Sequence, residues 1–451
     1  MTTLQDTPRA SRLHIGLFGR RNSGKSSLLN ALIGQSLAVV SEKPGTTTDP
    51  VYKSMEIAGI GPVVFIDTAG FDDDEAELGA ARVQQTERAA AETDIALVLF
   101  QATADESAGG DDEELAWVRR FQNEGKPVLA VVSQADTLKD DGHARKEAIL
   151  QATGCMTLAV SAKAKSGLEA VRREIARLLP ADYQLRSITG DLVAPDTNAV
   201  VLLVMPQDIQ APKGRLILPQ VQTLRELLDK HALVMSCTTD CIDAALAAMT
   251  EPPSLIITDS QAFRIVAAKK PAASKLTSFS ALFAALKGDI DYFLAGAHEL
   301  ADLAEAARAR RKADDDAPSV ASAFGADEGA SKTKPLNVLI AEACTHKPLD
   351  GDIGRIKIPR MLRQAFGEDG VTTRTVSGKD FPDDLAPYDL IIHCGSCMFN
   401  RSYVLYRANE AKAAGVPMTN YGLAIAAMLG ILDDISLPSD PFAEDATQTN
   451  D

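Results

Sequence analysis

One short run near the start of the chain constrains its fold more than any other feature. Gly19-Arg20-Arg21-Asn22-Ser23-Gly24-Lys25-Ser26 fits the pattern G-x-x-x-x-G-K-S. The apolar run Leu13–Phe18 precedes it, and a helical pattern from Lys25 to Ile33, closed by Gly34, follows. Strand, glycine-rich turn and helix are the context this pattern requires, because backbone N–H groups then curl around phosphate oxygens at a helix N-terminus. Lys25 would reach the β- and γ-phosphates, and Ser26 would bind Mg²⁺. Gly19, Asn22, Ser23, Gly24, Lys25, Ser26 and Ser27 form the expected nucleotide cradle.

Further stations follow in order. A strand at Val63–Ile66 runs into Asp67-Thr68-Ala69-Gly70, where Asp67 can hold the metal through water and the Gly70 N–H can sense the γ-phosphate. Upstream, the polar loop Pro44–Asp49 offers a hydroxyl to the same Mg²⁺. Strands at Ile95–Phe100 and Pro127–Val132 lead to Ser133-Gln134-Ala135-Asp136, and a strand at Thr157–Val160 leads to Ser161-Ala162-Lys163. This series resembles the guanine-nucleotide-binding fold, in the translation-factor-like branch that holds the bacterial tRNA-modification and ribosome-assembly GTPases. The resemblance implies GTP as ligand, Thr47 as the switch threonine, Asp136 as reader of the guanine edge, and base contacts from the backbone of Ser161, Ala162 and Lys163. It also places Asn22 where those relatives help coordinate K⁺.

Two departures matter. The base station is ordinarily Asn-Lys-x-Asp, and here Ser133 and Gln134 stand in its first two places. Losing one or two hydrogen bonds of roughly 0.5–1.5 kcal/mol each would weaken binding without changing the choice of base. Phe71 follows Gly70 where a Gln would orient the attacking water, so slow intrinsic hydrolysis is expected unless an acid from Asp72–Glu77 takes over.

The chain has 451 residues, enough for about three domains on the usual length prior. Its net charge of −16 argues against a general nucleic-acid or anionic-membrane surface. No apolar run is long enough to cross a membrane, and the first residues lack the pattern of a signal peptide, so a cytoplasmic location is expected. We expect an α/β protein with a GTP-binding domain over 1–180, a small middle α/β domain over 185–270, and a third domain over 272–435. The middle region shows strands near 200–205, 233–236 and 255–257, helices near 221–231 and 242–249, and no evident chemistry. Its Cys237 and Cys241 read as buried structural thiols rather than a second metal site. A long alanine-spaced helix is expected over Ser280–Lys312, followed by a disordered insertion over 313–334 rich in Ala, Ser, Gly and Asp.

The third domain carries the second cluster of chemistry. Leu336–Ala341 and Tyr388–Ile392 read as buried parallel strands, each followed by soft ligands: Cys344-Thr345-His346 after the first, His393-Cys394-Gly395-Ser396-Cys397 after the second. With strands near 371–376 and 416–419 and intervening helices, this is an open α/β sheet, whose ligands bind beyond the carboxyl ends of its strands. Cys344-x-His346 is a poor zinc knuckle, whereas three thiolates suit a 4Fe-4S cluster and leave one iron open. Zinc and ordinary core cysteines are the competing readings. His346, His393, Glu342 or an exogenous group could cap the fourth iron.

Phosphate loop, plain middle and this cysteine–histidine pattern together resemble the FeFe-hydrogenase maturation GTPases, the HydF family, from about Arg12 to Asp433 outside the insertion. The resemblance implies a homodimeric scaffold joined through its middle domain. Its 4Fe-4S cluster would receive or build a two-iron subcluster bearing CO and CN⁻, supplied by radical-SAM maturases and passed to apo FeFe-hydrogenase. A GTPase acting on tRNA or the ribosome, and an iron–sulfur redox sensor under GTP control, are the alternatives.

Overall fold

The computed structural model describes residues 8–34, 50–57, 59–70, 78–103, 110–140, 142–180, 183, 186–206, 216–316, 334–343 and 352–439. Two compact units divide the chain, Met1–Leu185 and Arg186–Asp451.

Among its described residues the first unit is built on six strands: β1 (Leu13–Phe18), β2 (Val51–Ile57), β3 (Gly61–Asp67), β4 (Ile95–Phe100), β5 (Val128–Val132) and β6 (Thr157–Ala159). Their order is β2-β3-β1-β4-β5-β6. All neighbours run parallel except β2, which pairs antiparallel with β3. Every residue of β1, β4 and β5 is buried, as a sheet covered by helices on both faces demands. Successive residues serve opposite cores. Leu97, Leu99, Leu129 and Val131 pack with Leu28 and Leu32, while Val98, Phe100, Ala130 and Val132 pack with Val118 and Phe121. Only Met55 and Ile57 of β2 are buried, which is why this edge strand leaves no apolar run in the sequence.

Among its described residues the second unit holds two four-stranded parallel sheets. In the first, β7 (Val200–Val204), β8 (Leu233–Cys237), β9 (Leu255–Thr258) and β10 (Lys275–Ser278) take the order β10-β9-β7-β8. The other joins β11 (Leu336–Glu342), β12 (Val371–Ser377), β13 (Leu390–His393) and β14 (Met418–Asn420) in the order β12-β11-β13-β14. The chain leaves β11 for a neighbour on one side and returns to pair on the other, so the switch point of this sheet lies between β11 and β13. Ligands of open α/β sheets bind at that point.

Three expectations are corrected here. The single helix over Ser280–Lys312 is two, Phe279–Lys287 and Ile290–Asp316. Gly288 is extended, with φ −107° and ψ −171°, and Asp289 starts the second helix by accepting the Tyr292 N–H at 3.0 Å. That second helix continues through Asp316, into the segment 313–334 expected to be disordered; residues 317–333 lie outside the described residues. Because β10 pairs with β9, residues 272–288 stand with the middle sheet rather than opening a third domain. The chain's last described stretch returns to that sheet, where Ser436 donates to Leu276 O at 2.7 Å. Among the described residues no helix is long and apolar enough to cross a membrane.

Candidate functional site

The phosphate loop leaves β1 and turns on three residues of positive φ: Gly19 at +151°, Asn22 at +60° and Gly24 at +89°. Gly19 has no room for a side chain, since a Cβ there would lie 2.8 Å from Leu99 O. Lys25 is buried, and its Nζ donates to Gly19 O at 2.7 Å and Arg20 O at 2.8 Å. Ser26 Oγ donates to Asp67 Oδ2 at 2.6 Å, joining the two expected Mg²⁺-side groups. Burial pushes the Asp67 carboxyl above its ordinary value, against the pull of Ser26 and Lys25. Its Oδ1, like Ser23 Oγ, is buried without a hydrogen-bond partner among the described residues. An orphaned carboxylate oxygen and a spare hydroxyl fit a hydrated Mg²⁺ and a phosphate oxygen. Ser27 continues the helix Lys25–Ile33, and Gly70 ends the stretch after β3.

Gln134 sits at φ +56°, and its Nε2 donates to Asn22 O at 3.2 Å, tying the base loop to the phosphate loop. Ser133 is buried instead, its N–H and Oγ both donating to Phe100 O at 2.9 and 3.2 Å. Asp136 is exposed on the turn Ala135–Thr137. The Ala135 N–H donates to Val160 O at 3.0 Å, which brings the next station alongside. There Ser161 pairs both ways with Ser166, and Ala162 and Lys163 lie on the arc between them. Thr47, Phe71 and the run Asp72–Glu77 lie outside the described residues.

The cysteine loop occupies the corresponding place on the last sheet. β11 and β13 end side by side, with Ala341 opposite His393. The Cys394 N–H donates to Ala341 O at 2.9 Å, and the Ala343 N–H donates to Cys394 Sγ at 3.0 Å. Ser396 turns the loop at φ +51° and directs a second N–H to Cys394 Sγ at 3.4 Å. Burial pushes the Cys394 thiol up to about 11. From the helix Phe279–Lys287, buried Lys287 donates through Nζ to Ser396 O at 3.0 Å and Phe399 O at 2.7 Å. Burial lowers its ammonium to about 8, opposed by neighbouring Cys397 and Cys394.

His393 is engaged at both ring nitrogens. Arg407 Nη1 lies 2.9 Å from Nε2, and a guanidinium can only donate, so Nδ1 carries the proton and donates to Cys394 O at 2.9 Å. Burial, then the Arg407 charge, brings the imidazole down to about 3 and keeps it neutral. Arg407 is fully buried, with the rings of Phe381, Phe399 and Tyr403 4.7–4.8 Å from its guanidinium carbon. Glu342, at the end of β11, accepts from Arg355 Nε at 3.2 Å and Ser377 Oγ at 3.1 Å. Cys344 and His346 lie outside the described residues, and among those described no three metal-capable side chains gather. What is present fits an anionic iron–sulfur cluster: two thiols on one loop, N–H donors on sulfur, and two buried cations nearby.

Sequence reasoning found the cysteines but not Lys287, which approaches from a helix far away in the chain, or Arg407, on the helix that follows the loop; neither belongs to a motif. Cys237 and Cys241 are partly buried and exposed, not the buried thiols expected.

Phosphate loop, Ser26–Asp67 pair and guanine station make the first unit a P-loop GTPase domain. Consistently, residues 14–134 match the 50S ribosome-binding GTPase family. Residues 188–288 match the hydrogen maturase F dimerization domain, and 328–436 its tetramerization domain. These three domains, met in this order, match a GTPase of the hydrogen maturase F family. It is 33% identical to GTPase Der of Stenotrophomonas maltophilia over 177 residues, 39% of this chain and 37% of that protein. With the tRNA modification GTPase MnmE of Salinibacter ruber it shares 39% identity over 124 residues, 27% of this chain and 26% of that one. The chain thus spans from about a quarter to little more than a third of the length of these relatives. A solved structure of Aquifex aeolicus Era bound to GDP and aluminium fluoride aligns at 18% identity and TM-score 0.31, over 52% of this chain and 98% of that one.

Proposed function

We propose that the first unit hydrolyses GTP with Mg²⁺, and that the second holds a 4Fe-4S cluster on Cys344, Cys394 and Cys397. As scaffold and carrier, the protein would take or build a two-iron CO/CN⁻ cargo with radical-SAM maturases and deliver it to apo FeFe-hydrogenase. The observation that carries this reading is the Ala343 N–H on Cys394 Sγ at 3.0 Å. Cys344 is the next residue, and consecutive Cα atoms are about 3.8 Å apart. The strand end that leads into Cys344 therefore meets Cys394 one residue before the first thiol of the set, although the two segments are far apart in sequence.

In the GTPase unit, Lys25 would exchange the Gly19 and Arg20 carbonyls for β- and γ-phosphate oxygens, trading neutral acceptors for charged ones. Ser26, Thr47 and Asp67 would hold Mg²⁺, the last through water, and Asn22 a K⁺ ion. Thr47 and the Gly70 N–H would respond to the γ-phosphate and let hydrolysis release the switch segments. In the second unit the cluster supplies an open iron for the cargo. Cys394 is oriented by two N–H donors, and His393 braces the loop from behind. With His393 and Glu342 both engaged, His346 or an exogenous group is left to cap the fourth iron exchangeably. The middle region would join two copies.

Anaerobic reconstitution with iron and sulfide, followed by EPR with and without imidazole, tests the cluster. A 4Fe-4S signal that shifts with imidazole is expected; a chain that binds only zinc, or nothing, would sink the reading. GTP hydrolysis should be faster in K⁺ than in Na⁺, and equal rates would remove Asn22 from its role.

A further inference from the structure

Lys287 is a buried cation with no carboxylate partner among the described residues. Its side chain is shut from water, yet its hydrogen bonds go to the two neutral carbonyls of Ser396 and Phe399. A desolvated ammonium held this way lacks its countercharge. Cys394 and Cys397 are the groups whose ionised thiols would favour its charge. The contact is also reciprocal. Arg401, just beyond the loop, donates back to Leu286 O at 3.3 Å and Gly288 O at 3.0 Å, capping the end of the helix that carries Lys287. Ser280, on that helix's first turn, donates to Asn420 Oδ1 at 2.9 Å. The helix lies within the region matching the dimerization domain, whereas the cysteine loop lies in the region matching the tetramerization domain.

We infer that Lys287 is a positioning residue of the cluster site: it holds the carbonyls of the Cys394–Cys397 turn and supplies the buried positive charge that balances the sulfur ligands. The inference rests on the cluster reading above. It makes the cluster site a joint product of two regions, so the sulfur ligands are completed by a residue that the cysteine-bearing sheet does not itself contain. A hydrogen-bonding cation near a cluster lowers the cost of adding an electron, and outer partners of metal ligands are commonly worth about 10–100-fold in metal affinity.

The full chain carrying Lys287→Gln, which keeps a donor but drops the charge, is the test, with Lys287→Arg as the charge-restoring control. Both are reconstituted anaerobically beside the wild type. Three quantities are read: iron loss to a ferrous chelator, cluster reduction potential by EPR-monitored titration, and GTP hydrolysis. Lys287→Gln should lose iron about 10–100-fold more readily and show a more negative potential, with hydrolysis unchanged and Lys287→Arg close to wild type. If Lys287→Gln does not fold, as urea unfolding of the apo chain would reveal, Arg401→Gln takes its place by removing the opposing half of the contact, and faster iron loss is again expected. Wild-type iron retention and potential in the folded variant overturn the inference while leaving the cluster reading intact. A wild-type chain that takes up no cluster overturns both.

Discussion

Lys25 and Lys287 are the same device in two places. Each is a buried ammonium donating to two carbonyls of a loop that leaves a central parallel strand. They differ in reach. The Lys25 acceptors lie six and five residues back in the chain, so the lysine and its loop form one local motif. Those of Lys287 lie 109 and 112 residues away, on a separately packed element. On the proposed reading the first lysine would trade its carbonyls for phosphate within a single loop. The second binds two regions together and cannot leave without loosening both. One loop is made for exchange, the other for retention.

Experiments that remove one loop's function and spare the other's probe this contrast most strongly. Lys25→Ala should cut GTP hydrolysis by about 10²-fold or more, the scale set by losing one preorganised charge donor, with iron per chain unchanged. Phosphate release and iron assay read it, and a joint loss would mean the units are not independent. Cys394→Ser should abolish most of the reconstituted cluster absorbance and leave hydrolysis within about twofold. A retained cluster there would break the ligand assignment.

Smaller effects test how each loop is braced. Arg407→Met removes the cation behind His393 and should lower the stability of the second unit by about 1.5–3 kcal/mol in urea unfolding, the range for hydrogen bonds to charged groups. No change would mean the aromatic cage, not the guanidinium, holds the loop. Gln134→Ala should weaken GTP binding about two- to tenfold, as expected for one bond of roughly 0.5–1.5 kcal/mol between base loop and phosphate loop. Unchanged affinity would leave the contact to Asn22 without a role.

Most strand positions were legible because both sheets of interest are covered on two faces, so β1, β4, β5, β11 and β13 are nearly unbroken apolar runs. β2 and β10 were not. β2 is an edge strand with a mostly wet surface, and β10 is four residues of mixed polarity whose place depends on pairing with β9. The helix break at Gly288 was hidden for a related reason. Alanine spacing continues across it, while the turn is imposed by Asp289 and by what the two helices pack against. Gln134 was visible as a departure from a motif, but its bond to Asn22 spans 112 residues of chain and could not be read from spacing.

By itself the sequence determined the phosphate loop, the parallel strands that present both loops, and the cysteines at the second strand end. These follow from local spacing, backbone freedom and apolar runs, which act over a few residues at a time. Tertiary structure alone decided that His393 is held between Arg407 and its own loop, and that a lysine of the middle region completes the cysteine turn. Such contacts arise when buried charges must find partners in the packed interior, and packing pays no attention to distance along the chain.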